Sequence, residues 1–387
     1  MDISTTIIAK QILLQGKWLA NQAVTLNDGV ISDIQSISQD EITHHHDAYE
    51  YIIPSYIDVQ VNGGGGELFT QQVTPEQIEY VAKVHQRFGT GAMLPTLITN
   101  DIQAMQHMAS AVAHCVNEPT SDVDILGVHF EGPWLASAKK GIHLDRFIRA
   151  PSDAELACVL RQDLGKVMVT LAPETVPVDI IRELVAQGVI VSLGHTNADA
   201  DTTLAAIEAG ASGFTHLFNA MSGFSGREPG VLGAALGHHG SFAGMIVDGQ
   251  HVSPISIQAA LNAKGIEHSV LVTDAMGHVG SDNLTQPYFD LSITRNGNQL
   301  TTPDGSLAGS CLTMHEAVLN TVQHCHVTIQ DAITMATQSP ANWLGLNDRG
   351  DINVGGRANL MGLETINTAS AHHCAINAHW VKGVKVI

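Results

Sequence analysis

The chain has 387 residues, 44% hydrophobic and 14% charged, with acidic residues outnumbering basic ones 38 to 18 for a formal charge of −20. That composition excludes a disordered chain and supplies a large core, while the length suits one α/β barrel of about 250 residues with accessory segments. The negative charge argues against nucleic acid and anionic membranes as partners, and it means that an anionic substrate needs a local basic pocket.

Residues 1–53 alternate β-prone runs with turns, at Thr6–Leu14, Lys17–Ala20, Gly29–Ile37 and Tyr49–Ile53. They predict a small β unit. The triplet His44–His46 lies in a polar stretch and reads as exposed loop, because adjacent side chains converge poorly on one ion. From Ile52 strands and helices alternate. Ile52–Gln60 ends in Gln60-Val61-Asn62 and four glycines, Gly63–Gly66. A helix capped at Thr74 runs to about Phe88, followed by a strand at Ala92–Ile98 and a helix near Asp101–Cys115. Asp124–Phe130 is the third strand and stops at Glu131. A helix near Asp153–Leu160 leads to Val167–Leu171, and Val178–Ala186 leads to Val189–Leu193. That strand stops at His195. The alanine-rich Asn197–Ala209 predicts a helix before Gly213–Thr215, which stops at His216. Phe242–Val247 ends in Asp248-Gly249-Gln250-His251. Ser253 and Pro254 open a helix to Ala263, and Ser269–Thr273 ends at Asp274.

Eight strands separated mostly by helices predict a closed parallel (β/α)8 TIM-like barrel, α/β in class. A hairpin excursion follows at Tyr288–Gly305, then helices near Leu312–Cys325, Ile329–Ala336 and Pro340–Leu344. The tail returns to β character at Asn359–Leu363, Ala375–Ile376 and Trp380–Val386. Both termini then pair in one small sheet. The expected division is residues 1–53 and 349–387 in a small β-sandwich, with residues 54–348 in the barrel. Five dispersed cysteines without CxxC spacing read as reduced thiols. With no signal-like start and no run long enough to span a bilayer, the expected location is the cytoplasm.

The polar strand ends Gln60, Asn62, Glu131, His195, His216, His251 and Asp274 fall on one face of such a barrel. A carboxylate and two imidazoles, Glu131, His195 and His216, suit a catalytic Zn²⁺ with an open position. Asp274 beside it is the expected acid/base. Read singly, each has a structural alternative: a packed histidine, a turn-capping glutamate, a helix-capping aspartate. Other histidines, His107, His114, His238, His239, His372 and His373, read as surface or structural.

Ten segments in order carry a resemblance: PSYIDVQVNGGGG (54–66), LPTLIT (94–99), GVHFEGPWL (127–135), KKGIH (139–143), GHTNA (194–198), THLFNAM (215–221), GREPG (226–230), DGQH (248–251), VTDA (272–275) and LAGSCLTM (307–314). The chain resembles the N-acetylglucosamine-6-phosphate deacetylases of the amidohydrolase superfamily over nearly its whole length. The resemblance implies hydrolysis of the acetamide of N-acetylglucosamine 6-phosphate to acetate and glucosamine 6-phosphate, in amino-sugar catabolism. It implies Glu131, His195 and His216 as metal ligands and Asp274 as acid/base. It puts Ile142, His143, Asn219, Ala220, Arg227, His251, Leu307, Ala308 and Gly309 at the substrate, Arg227 on the phosphate. His143 or His251 would polarise the acetyl carbonyl. It also implies a homodimer with part of the phosphate site, Arg227 or the Asp248–His251 segment, lent by the neighbouring subunit. The superfamily's His-x-His is here Gln60-Val61-Asn62, vestigial second-metal positions, since an amide is a poor zinc ligand. One tightly held divalent ion per subunit is therefore expected, with zinc the best match and a second, weaker metal the alternative. Lys139 and Lys140 read either as a pair steering an anion or as solvated loop. The alternatives are a deacetylase for the galacto epimer or another N-acylated sugar phosphate, a cyclic-amide hydrolase, and a non-catalytic sugar-phosphate-binding barrel.

Overall fold

The computed structural model describes residues 4–45, 47–120, 122–365 and 374–387. Its centre is a (β/α)8 barrel. Eight parallel strands lie in chain order: Tyr56–Val61, Thr90–Ile98, Gly127–Glu131, Lys166–Leu171, Ile190–Leu193, Gly213–Phe214, Phe242–Met245 and Ser269–Leu271. The ring closes between the first strand and the turn after the eighth, where Asp274 N donates to the Gln60 carbonyl at 3.0 Å and Asn62 N to the Ala275 carbonyl at 2.9 Å. The seam thus sets Asp274 beside Gln60 and Asn62. The barrel strands are buried almost throughout, which is why they read as continuous apolar runs and not as alternation.

The flanking helices follow local chemistry. Pro75–Gln86 begins at Thr74, whose hydroxyl accepts from Gln77 N, with proline in the first turn. Met314–Cys325 opens with a capping box between Thr313 and Glu316. A helix at Gly230–Gly237 lies outside the predicted set; its glycines and alanines give a weak helical signal, and its Val231 and Ala235 are buried.

Both termini build the small β unit, a seven-stranded sheet flanking the barrel. Thr5–Leu14 lies between Lys17–Asn27 and Tyr49–Pro54, and Leu360–Leu363 extends the sheet from Tyr49–Pro54. The two C-terminal runs expected at Ala375–Ile376 and Trp380–Val386 are one strand, Ile376–Val381, and a short return at Val384–Lys385. Ile52–Gln60 is likewise divided: Tyr49–Pro54 belongs to the terminal sheet and Tyr56–Val61 to the barrel. The excursion after Asp274 is three antiparallel strands, Thr285–Tyr288, Leu291–Asn296 and Gln299–Thr301. His44 ends a short helix, Gln39–His44, and sets its ring on the Asp40 carbonyl. His46, His372 and His373 lie outside the described residues. Among the described residues no helix is long and apolar enough to cross a membrane.

Candidate active site at the barrel mouth

The carboxyl ends of the strands turn sharply, and the turns aim the polar side chains inward. His195, His216 and Asp274 all hold left-handed backbone, with φ of 47°, 32° and 51°. Such conformations are costly for residues other than glycine and persist where the surroundings fix them. Gly309 makes the close approach of the next loop feasible: at φ +58°, a Cβ there would meet the Asp274 carbonyl at 2.9 Å.

Glu131, His195 and His216 converge. His216 Nε2 lies 3.1 Å from Glu131 Oε1 and 3.0 Å from His195 Nε2, and His195 Nε2 lies 3.4 Å from Glu131 Oε1. All three side chains are buried. His195 donates its Nδ1 proton to the Lys139 carbonyl at 2.8 Å, so a neutral ring turns a bare Nε2 toward the other two atoms. Lone pairs that meet at this spacing need a proton or a cation among them. The separations are close to the roughly 3.3 Å edge of a tetrahedral zinc site with N and O donors. The donor set therefore fits a divalent metal. Burial works against charge on Glu131, but the rings of His195 and His216 set against its oxygen hold its carboxyl well below the usual range. Burial also opposes charge on His216, yet the Glu131 hydrogen bond keeps its ring above the ordinary value.

Asp274 faces this cluster. Its Oδ1 accepts from Asn62 Nδ2 at 2.6 Å and from Gln60 Nε2 at 3.2 Å, and Gln60 Nε2 also reaches Glu131 Oε1 at 3.0 Å. The two amides, of Gln60 and Asn62, thus saturate one carboxylate oxygen. Burial, then the charge of Glu131, pushes Asp274 up to about 6. Below it, Asp58 receives the Thr273 hydroxyl at 2.6 Å and braces the turn; burial raises Asp58 to about 7.

A cavity of about 170 Å³ opens above these groups, walled by Asn62, Ile142, His143, Asn219, Ala220, His251, Leu307 and Gly309 together with the cluster. His143 Nε2 lies 3.9 Å from Glu131 Oε2, and its Nδ1 meets the Thr99 hydroxyl at 2.7 Å. Burial, then the neighbouring His195, keeps the His143 ring neutral, well below its usual value. His251 Nδ1 bonds Asp248 Oδ2 at 2.6 Å. Burial disfavours the Asp248 charge, but His251 outweighs it and lowers that carboxyl.

Two expected residues sit elsewhere. Arg227 is exposed and lines a separate groove of about 600 Å³ with Asn197, Asp199, Asp201, Ser222 and Glu228. Ala308 is fully buried in an apolar cluster with Met276 and Tyr288. Lys140 pairs with Asp145 at 2.8 Å, while Lys139 acts through its carbonyl. His107 binds the Gln71 carbonyl, His239 the Ala263 carbonyl, and His114 lies by Glu118, all away from the mouth, as does half-buried His238. Thr99 and Asp248 are supporting contacts that sequence reasoning did not assign, and Lys139, read there for its charge, contributes its carbonyl instead. Asp248 had a signal, its spacing of three from His251. Lys139 had none, because its contribution is backbone.

The amidohydrolase family model matches residues 51–386. This chain belongs to the amidohydrolase family. It is 44% identical over 358 residues to an N-acetylgalactosamine-6-phosphate deacetylase of Shewanella sp. (strain ANA-3), covering 92% of this chain and 90% of that one. It is 33% identical over 360 residues to an N-acetylglucosamine-6-phosphate deacetylase of Bacillus subtilis (strain 168), covering 90% of each. Among solved structures, an N-acetylglucosamine-6-phosphate deacetylase from Pasteurella multocida superposes with a TM-score of 0.89 at 30% identity, over 98% of this chain and 99% of that one. The chain is an enzyme of this family, a hydrolase with a buried Glu-His-His cluster able to hold a metal.

Proposed function

We propose that this enzyme removes the acetyl group from an N-acetylhexosamine 6-phosphate, releasing acetate and the free amino-sugar phosphate. The observation that carries the reading is the meeting of Glu131, His195 and His216 within hydrogen-bonding distance beside a half-satisfied Asp274. In this reading those three residues hold one divalent ion, and zinc suits the mixed imidazole and carboxylate donors best. Such an ion, when bound, would polarise the acetamide carbonyl and acidify the attacking water.

The chain's own groups do the proton work. Asp274 Oδ2, the oxygen not saturated by the amides, takes a proton from the attacking water. The water oxygen bonds to the carbonyl carbon. The same proton then passes to the nitrogen as the C–N bond breaks, so a neutral amine leaves; the acetic acid formed keeps water's second proton and loses it to the amine or to solvent, giving acetate. His143 and His251 flank the reacting carbonyl, each held by one ring nitrogen, on Thr99 and Asp248, so that the other faces the cavity. Ile142, Leu307 and Gly309 form the wall for the sugar, with Ala308 behind it. Asn219, Ala220 and Arg227 are assigned to the phosphate, Arg227 from a second copy of the chain in a homodimer. That assignment accords with an exposed Arg227 outside the cavity. Residues 54–348 act as the catalytic unit, with residues 1–53 and 349–387 as the small β unit, in the cytoplasm.

The gluco epimer is the primary substrate in this reading. A specific observation favours the galacto epimer instead: the 44% identical relative carries that specificity in its name. Acetate release from the two epimers, assayed side by side, separates them. A kcat/KM at least tenfold higher for one assigns it, and release from neither overturns the reading.

A further inference from the structure

Asn62 has a second polar atom that the fold leaves without a partner. Its Nδ2 donates to Asp274 Oδ1 at 2.6 Å. That oxygen also receives Gln60 Nε2, so it carries no proton and accepts from both. The contact fixes the orientation of the Asn62 amide, because a carboxylate oxygen in this position takes an N–H and not a carbonyl. Asn62 Oδ1 is then turned away from Asp274. It is buried and makes no hydrogen bond, although Asn62 lines the cavity above the Glu-His-His cluster. The backbone on either side is pinned: Asn62 N donates to the Ala275 carbonyl at 2.9 Å and Phe69 N donates to the Asn62 carbonyl at 2.9 Å. The side chain cannot swing away cheaply. A buried acceptor without a donor costs stability unless something supplies one.

We infer that Asn62 Oδ1 accepts the N–H of the scissile amide. The inference rests on the deacetylase reading of this site. An acetamide offers one donor, its N–H, next to the carbon under attack. With that hydrogen held by Asn62 Oδ1, and Asp274 held by Asn62 Nδ2, one side chain aligns the leaving nitrogen with the carboxylate that protonates it. The amide that stands where relatives of other branches would need a ligand thus becomes a catalytic residue that reads amide from ester.

The test compares the N-acetyl substrate with its 2-O-acetyl counterpart, the same sugar phosphate with an ester oxygen in place of N–H. In Asn62→Ala and Asn62→Ser, kcat/KM for the amide falls about tenfold or more relative to that for the ester. Metal content and melting temperature are followed in the same samples. An equal fall for both substrates reduces Asn62 to a prop for Asp274 and overturns the inference, as does loss of a second metal equivalent from the variants. If neither variant folds, binding to Asp274→Asn decides the matter. The amide then binds at least about fivefold more tightly than the ester; equal binding overturns the inference. Failure of the wild-type enzyme to release acetate from either compound would instead sink the deacetylase reading itself.

Discussion

Two layers of the barrel interior differ sharply in how they treat polar atoms. At the mouth, His216 Nδ1 and Asn62 Oδ1 are buried without partners, and ring nitrogens of His195 and His216 face each other at 3.0 Å. One layer down, His129 Nδ1 bonds the Val59 carbonyl at 2.9 Å, and its Nε2 meets the Thr170 hydroxyl at 2.7 Å. Thr170 and Ser192 each lie 2.6 Å from the Thr215 hydroxyl. The direction of that lower chain is forced. A carbonyl only accepts, so His129 Nδ1 carries the proton. Burial holds the ring at about 4, hence neutral, so Nε2 accepts from Thr170. Thr170 in turn accepts from Thr215, and Thr215 from Ser192. A layer whose donors and acceptors match is scaffold. A layer that leaves them unmatched, on strained backbone, is built for something that arrives.

The comparison can be broken from the top down. His195→Ala should remove the ion and all measurable acetate release while leaving the lower layer, and thus the fold, intact; elemental analysis with circular dichroism checks both. Asp274→Asn should keep the ion but lower turnover by about 10²–10⁴-fold. Wild-type turnover in that variant would remove Asp274 from the proton path.

Acid tests two buried histidines outside the barrel strands next. His85 and His379 are both buried, and burial lowers each ring to about 4 from an ordinary 6.5. Their folded forms are neutral while unfolded rings take up protons near 6.5. Stability is therefore full above that pH and is lost as pH falls toward 4. The gap is worth roughly 3 kcal/mol per ring at its ceiling. Melting temperatures from pH 7 to 4.5 should fall steeply, and His379→Gln should flatten part of the slope. Thr170→Val should cost about 2 kcal/mol in denaturant unfolding, because it strands His129 Nε2 and the Thr215 proton, with metal content unchanged. At the small end, Lys10→Ala breaks an exposed pair with Glu50 and should change stability by under about 0.5 kcal/mol.

Sequence reading located the mouth because apolar barrel strands stop at polar residues: Glu131, His195, His216 and Asp274 each mark such a stop. What it could not reach are contacts made by backbone or set by tertiary context. The Lys139 carbonyl that orients His195 leaves no trace in residue type. The left-handed turns at His195 and Asp274 carry residues that do not advertise them. Gly230–Gly237 escaped because glycine and alanine give no amphipathic period. The type of Arg227 suggests an anion ligand, but its distance from the cavity depends on where its loop runs. Gln60 and Asn62 were legible as a departure from His-x-His, while their bonds to Asp274 needed the closed seam of the barrel.

The central claim is that Glu131, His195 and His216 hold an ion without which this site does not work. Removing metal with a chelator and then adding zinc back, while following acetate release from N-acetylglucosamine 6-phosphate and its galacto epimer, tests it most directly. The account predicts release falling to background on chelation and returning with about one equivalent of zinc per chain. Undiminished release from metal-free protein would contradict it.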